Sequence, residues 1–569
     1  MKFLLLSGFL YCVCYALDPV IKVDQGNLLG KLEPGAASSA SFYAFRGIPF
    51  AESPTGNLRF KAPRPPKSWT GLRNATTEGS VCTQATFTGQ LIGSEDCLFL
   101  NVYTPKLNCT SLLPVLFFLH SSAFIFGDGG SSWYGPDFLN YNGVLLVTAN
   151  YRLGPLGFLN LETAGAPGNA GLKDTLAALE WTKRNIKSFC GDPAKVTVGG
   201  HSAGAMMANV HTLLARSQGL FSRALLMSGN ALTTVAYTDS HLEAARELAA
   251  MLGAKDNATS TVEDTLRKAT GEQINAAHLA MLMNEPHPNM MFKFAMTSES
   301  PSASQADLPG SILLTTDPET LLRAPEVKTV VPILTGTTAQ ESASLYAVGV
   351  ISKAFNGDEA AFLGRLNRRF NEILSRLALR VSTHVAAAKG IQSGPGSASQ
   401  QQEILKMVKE KYFDGKDTFS RQQYINVISD MEFVGPVLNF LRLCRGDVFL
   451  YETDVDSKYN FLSRNLLNIT YATTTCHADD LGYVFHPGVV DIHQDYKGSG
   501  LGPSVLRYTT TLFTNFIKGH TTGSRAVCGE SSTTPYVHIN GSTPMIATAY
   551  GGQAALWKQV FDIRRTKSS

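Results

Sequence analysis

The chain has 569 residues, of which 17% are charged, with 49 Lys and Arg against 46 Asp and Glu and a formal net charge of +3. A charged share below the usual ~25% fits a large globule with little surface per residue. Near-neutrality without basic runs excludes the electrostatic footprint of a nucleic-acid-binding protein.

The N-terminus reads MKFLLLSGFLYCVCYA: one lysine, an apolar run, then Cys14-Tyr15-Ala16 with small residues at the cleavage-specifying positions. The pattern predicts a secretory signal peptide over 1–16, and hence a secreted, extracellular protein. The remaining residues, 17–569, are expected to form a single domain. No later stretch approaches ~18 continuous apolar residues, so no membrane anchor is expected. The tail Ile563–Ser569 has no lipid-anchor or retention signal. Five N-x-[ST] sequons, at Asn74, Asn108, Asn257, Asn468 and Asn540, are candidate glycosylation sites on that route. Outside the leader seven cysteines remain, so at least one thiol is free or intermolecular in an oxidising compartment. Cys82 and Cys97 are the best pair by proximity. No Cys/His spacing suggests a metal site, and no cofactor is expected.

In chain order, strand-like apolar runs occur at Leu113–Leu119, Val144–Val147, Val196–Val198, Ala224–Met227, Val330–Leu334 and Val448–Tyr451. Helical intervals include Asp174–Asn185, opening after Gly171, and another from His241. Such alternation predicts an α/β fold with a large, mostly parallel sheet covered by helices on both faces. Ser298–Gly310 and Gly390–Gln402 are low in complexity and read as surface loops.

The stretch KVTVGGHSAG, 195–204, carries the sharpest chemical signal. A β-branched strand breaks at glycines, presents Ser202, and opens a helix at Ala203. Gly200 and Gly204 flank the serine because a side chain there would collide with the neighbouring strand or helix. The turn lifts the Ser202 hydroxyl clear of the sheet, beside a helix N-terminus that favours negative charge. A serine hydroxyl is a weak nucleophile near neutral pH, so it needs a base, and the base needs a carboxylate to hold its tautomer. His477, in Thr475-Cys476-His477-Ala478-Asp479-Asp480, stands out among the later histidines. Spacing alone does not choose among Glu341, Asp317 and Glu319 for the acid.

These motifs resemble the cholinesterase/carboxylesterase (type-B carboxylesterase) family of the α/β-hydrolase fold. The likeness runs through Phe45-Arg46-Gly47-Ile48-Pro49, Ser94–Val102, Asn150-Tyr151-Arg152-Leu153-Gly154, Gly168–Asp174, the serine turn, Gly219-Leu220-Phe221 and Ser228-Gly229. It implies Ser202 as nucleophile, Glu341 as acid and His477 as base. It also implies a Cys82–Cys97 disulfide and structural ion pairs Arg46–Glu95 and Arg152–Asp192. The family's glycine-rich loop, whose backbone N–H groups hold the oxyanion, here reads His120-Ser121-Ser122-Ala123-Phe124. The implied donors are Ser122, Ala123 and Ala203. Two serines in place of glycines raise a second expectation, a catalytically weak or inactive extracellular binding or adhesion protein. Only fourteen residues separate Cys82 from Cys97, none of them tryptophan, and His201 stands where cholinesterases carry an acidic residue. Those departures argue against choline esters and for a small-molecule partner that is an uncharged, largely apolar carboxylic ester. Phe124 and Phe126 are candidates to line its pocket. Nothing in the sequence speaks to oligomeric state.

Overall fold

The computed structural model describes residues 18–560 apart from 36–39, 87–88, 122, 284–292, 309, 326, 328–330, 352–354, 376–394, 490–495, 497–498, 521–524, 527, 530–533, 542–543, 549 and 551–554. The expected leader, 1–16, and the expected oxyanion donor Ser122 therefore lie outside the described residues. Among the described residues the central sheet has twelve strands: β1 (Lys31–Pro34), β2 (Ser41–Pro49), β3 (Phe99–Thr104), β4 (Leu113–Leu119), β5 (Leu145–Ala149), β6 (Gly191–His201), β7 (Arg223–Met227), β8 (Ile333–Thr338), β9 (Val448–Thr453), β10 (Arg525–Ala526), β11 (Tyr536–Ile539) and β12 (Met545–Ala547). Their spatial order is β12-β11-β9-β8-β7-β6-β4-β5-β3-β2-β1, with β10 beside β9. Every pairing from β5 through β4, β6, β7, β8 and β9 to β11 is parallel, and the outer strands pair antiparallel.

The parallel strands are apolar on both faces because both faces are covered. Along β4, Val115, Phe117 and Leu119 enter one core while Leu116 and Phe118 enter the other. The first core is closed by Leu172, Ala178 and Leu179 of α1 (Ala170–Asn185) and by Ala205–Ala208 and Val210 of α2 (Ala203–Leu213). The second is closed by Phe138 and by Phe513, Phe516 and Ile517 of a later helix, Leu501–Lys518. A third cluster joins Tyr346 of α3 (Ser342–Ile351) to Tyr424, Ile428 and Cys476.

Several boundaries differ from expectation. Helix α1 begins at Ala170, so Gly171 is interior. It is there for proximity, since a Cβ on it would lie 2.5 Å from the Arg152 carbonyl oxygen. Strand β8 runs past the expected end at Leu334 through residues 335–338, where Thr337 and Thr338 pair with Glu452 and Thr453. Val330 lies outside the described residues. The stretch 298–310 contains a helix, Pro301–Asp307, started by a proline whose missing N–H costs nothing there. Within 390–402, residues 390–394 lie outside the described residues and the rest opens a helix, Pro395–Phe413.

Both expected ion pairs are corrected. Arg46 forks onto Glu33, at 2.6 and 2.8 Å, across the β1–β2 hairpin, and Glu95 pairs with Arg59 at 2.5 and 2.7 Å. Arg152 pairs with Asp174 on α1, at 2.7 and 2.8 Å, whereas Asp192 caps the Ala194 N–H beside its own turn. Three disulfides are formed: Cys82–Cys97, Cys109–Cys190 and Cys444–Cys528. Cys190 holds a left-handed φ of 64°, a conformation that favours glycine, while serving as a disulfide half.

Candidate active site

Strand β6 runs between β4 and β7 and ends at His201. Ser202 then takes φ 55° and ψ −123°, and α2 starts at Ala203. Sparsely populated backbone of this kind costs roughly 1–3 kcal/mol and survives only where its surroundings over-determine it. Here they do. A Cβ on Gly200 would lie 2.3 Å from the Gly204 carbonyl carbon, and one on Gly204 would lie 2.2 Å from the Leu119 oxygen. A Cβ on Gly229 would lie 2.7 Å from the Ser202 oxygen, so a third glycine lets β7 and the turn close up. The Ser202 N–H donates to Met227 at 2.9 Å, which ties the turn to β7.

Glu341 follows β8 and opens α3, fully buried. Its Oε1 accepts from the Ser228 hydroxyl at 2.6 Å and from the Thr338 N–H at 2.8 Å. Its Oε2 lies 2.6 Å from Nδ1 of His477. With Nδ1 facing a carboxylate, that nitrogen carries the proton and Nε2 keeps its lone pair. The two loops are also stitched by backbone. The His477 N–H donates to the Glu341 oxygen at 3.1 Å, and the Gln340 N–H to Thr475 at 3.0 Å. Asp479 accepts from the Ser463 N–H, the Ser463 hydroxyl and the Cys476 N–H at 2.6–2.8 Å, fixing the turn that carries the histidine. Ser202 neighbours this pair, since the ring of His201 packs on that of His477. No hydrogen bond joins the Ser202 hydroxyl to His477 among the described residues. Apo sites often leave this contact open until substrate binds.

The loop after β4 keeps a left-handed shape without glycine: Ala123 has φ 48° and Phe124 φ 62°. It is held at several points. The Ser121 N–H donates to the Tyr134 hydroxyl at 2.8 Å, and Gly154 donates to the Phe124 oxygen at 2.6 Å. His120 stacks on Tyr151 with centroids 4.2 Å apart, and burial pushes its pKa down to about 4. Across the site, Ala203 is the first residue of α2, where an N–H has no intrahelical partner. Phe124 is fully buried against Phe158, so it belongs to the core and not to a pocket wall.

The sequence model of the Carboxylesterase family matches residues 17–547. The chain belongs to the carboxylesterase family. This carboxylesterase is 31% identical over 501 residues to a juvenile hormone esterase of Tribolium castaneum, covering 84% of this chain and 80% of that one. It is 26% identical over 595 residues to liver carboxylesterase 1F of Rattus norvegicus, covering 99% and 98%. Its fold matches the crystal structure of juvenile hormone esterase from Manduca sexta, solved with OTFP covalently attached. That match has a TM-score of 0.80 at 26% identity, over 96% of this chain and 99% of that one. The enzyme is a carboxylic ester hydrolase with the α/β-hydrolase fold, and the expectation of an inactive binding protein is not favoured.

Two acid alternatives have other duties. Asp317 caps the helix Pro318–Arg323 through the Thr320 N–H at 3.0 Å, and Glu319 pairs with Arg323 at 2.6 Å. Sequence reasoning missed Ser228, the tilted His201–His477 ring contact and Phe433, whose ring lies 4.8 Å from that of His477. Ser228-Gly229 was visible as a motif, but its link to Glu341 spans 113 residues. Cys476, next to His477, is a buried free cysteine packed in the third cluster, and burial with the nearby Asp479 charge keeps its thiol protonated. All five sequon asparagines are exposed. Among the described residues no helix is long and apolar enough to cross a membrane, and no cluster of His, Cys, Asp and Glu could hold a metal ion.

Proposed function

We propose that the enzyme is a secreted serine carboxylesterase that cleaves uncharged, largely apolar esters through an acyl-enzyme. Ser202 is the nucleophile, His477 the base and Glu341 the acid. The observation that carries this is the 2.6 Å contact between buried Glu341 and His477 Nδ1, set beside a serine on a glycine-built strand-to-helix turn. His477 takes the Ser202 proton as the hydroxyl attacks the ester carbonyl. The ring then gives that proton to the leaving alcohol. Water enters by the same base and releases the acid. Glu341 steadies the imidazolium. The Ala123 and Ala203 N–H groups, with that of Ser122, receive the oxyanion, each well-aimed donor contributing about 2.7–4 kcal/mol to the transition state.

Relatives bear names as different as juvenile hormone esterase and liver carboxylesterase, so the substrate class rests on residues. Phe433 borders the base, and no tryptophan lies between Cys82 and Cys97 to hold a quaternary ammonium. The leader over 1–16, glycosylation at Asn74, Asn108, Asn257, Asn468 and Asn540, and a single domain over 17–569 complete the proposal. A fluorescent organophosphonate applied to the secreted protein and to Ser202→Ala tests it, alongside turnover of a short-chain aryl ester. Labelling and turnover that both vanish in Ser202→Ala are expected. Full labelling of the alanine variant contradicts the assignment.

A further inference from the structure

His477 is held at Nδ1 by Glu341, but one hydrogen bond leaves a ring free to swing about its own axis. The missing restraint comes from two other rings. The centroid of His201 lies 4.4 Å from that of His477 at an interplanar angle of 44°. Phe433 approaches the same imidazole at 4.8 Å and 48°. Phe433 belongs to a π-helical turn, Asp430–Val434, a rare conformation that recurs at functional sites. This turn is anchored to the site, since the preceding Ser429 hydroxyl accepts from the Ser342 N–H, next to Glu341, at 2.9 Å.

His201 is an odd choice for a packing residue. It is fully buried, and among the described residues neither ring nitrogen has a hydrogen-bond partner. Leaving two polar atoms unpaired in the core is unfavourable, and an aliphatic side chain would avoid it. What His201 brings in exchange is an aromatic ring against the His477 imidazole. Burial, together with the charge of a protonated His477, holds His201 neutral, so no second cation forms beside the base.

We infer that His201 is a positioning residue: its ring and that of Phe433, both tilted against the His477 imidazole, restrain that ring so that Nε2 stays aimed at Ser202. The inference rests on the proposed roles of Ser202 and His477. A displacement of reacting groups by about 1 Å can cost on the order of a hundredfold in rate. Because the clamp acts on the base and not on the substrate, its loss falls on kcat.

The test compares His201→Phe, His201→Leu and His201→Ala with wild type on a short-chain aryl ester, with Ser202→Ala as the floor. His201→Phe keeps a flat ring and is expected to retain kcat within about threefold. His201→Leu fills the volume without a flat face, and kcat is expected to fall roughly tenfold to a hundredfold with KM within about twofold. His201→Ala should fall at least as far; should it fail to fold, the leucine variant decides. A leucine variant with wild-type kcat overturns the inference. So does a phenylalanine variant as slow as leucine, or a loss confined to KM. Activity surviving in Ser202→Ala would instead overturn the catalytic assignment and leave the stacking geometry to be explained otherwise.

Discussion

Ala123, a proposed oxyanion donor, holds a strained backbone conformation. Its φ of 48° is left-handed, followed by 62° at Phe124, in the loop that faces the serine turn. A side chain in this region costs roughly 1–2 kcal/mol. The loop nonetheless keeps its shape, because Tyr134, Gly154 and the His120–Tyr151 stack hold its backbone from three directions. Replacing Ala123 with glycine should relieve part of the strain, raising unfolding free energy by up to about 1 kcal/mol. Ester turnover should stay within a few-fold of wild type. Urea denaturation with parallel aryl-ester assays checks both. A destabilised variant would mean that the methyl group packs usefully and the loop is not strained there.

At the scale of elements, the proposed nucleophile Ser202 depends on how closely β6, α2 and β4 approach. Gly204 sits in the first turn of α2, where a Cβ would lie 2.2 Å from the Leu119 oxygen and 2.7 Å from the His120 oxygen. Backbone atoms cannot step aside as a flexible side chain can. Gly204→Ala should therefore cost about 1–3 kcal/mol of stability and push the serine off its aim, lowering turnover about a hundredfold. Wild-type kinetics in that variant would show that the elbow tolerates more room than its contacts imply. The elements themselves were largely legible. β4 matches the expected run Leu113–Leu119, and β6, β7 and β9 contain the expected runs, because the buried stretches of parallel strands are largely apolar. Helix starts were less legible. A glycine such as Gly171 reads as a boundary by propensity, yet here it answers to the close passage of Arg152.

Over the whole molecule, long-range pairings were the illegible part. Arg46 and Glu33 meet because β1 and β2 form a hairpin, and Arg152 meets Asp174 because α1 packs over the loop after β5. Cys109 and Cys190 are 81 residues apart, a separation that says nothing of contact. Ser202 and His477 stood out in local motifs, whereas spacing left Glu341, Asp317 and Glu319 open and only the family resemblance implied Glu341; the fold places Asp317 and Glu319 on a helix end with structural partners. The same burial that assembles the site makes stability depend on pH. Burial and the Glu341 charge push the Asp480 carboxyl up to about 8, with Tyr451 donating to it at 3.1 Å. Its folded pKa lies above its unfolded value, so between about pH 4 and pH 8 the unfolded chain has released a proton that the native state retains. Stability from this group thus declines as pH rises, by about 1.4 kcal/mol per unit. Asp480→Asn should lose that slope and gain on wild type from pH 5 to pH 8 in denaturant titrations. A constant gap between the two would contradict it.

The central claim is that ester cleavage passes through a covalent bond to one hydroxyl. Rapid quenching of the enzyme during turnover of a slowly deacylating aryl ester, followed by peptide mass spectrometry, tests this most directly. The expected result is an acyl adduct on the peptide containing Ser202, formed with a burst of phenol and absent from the alanine variant. Steady turnover with neither burst nor adduct, or an adduct borne by another residue, would contradict the account.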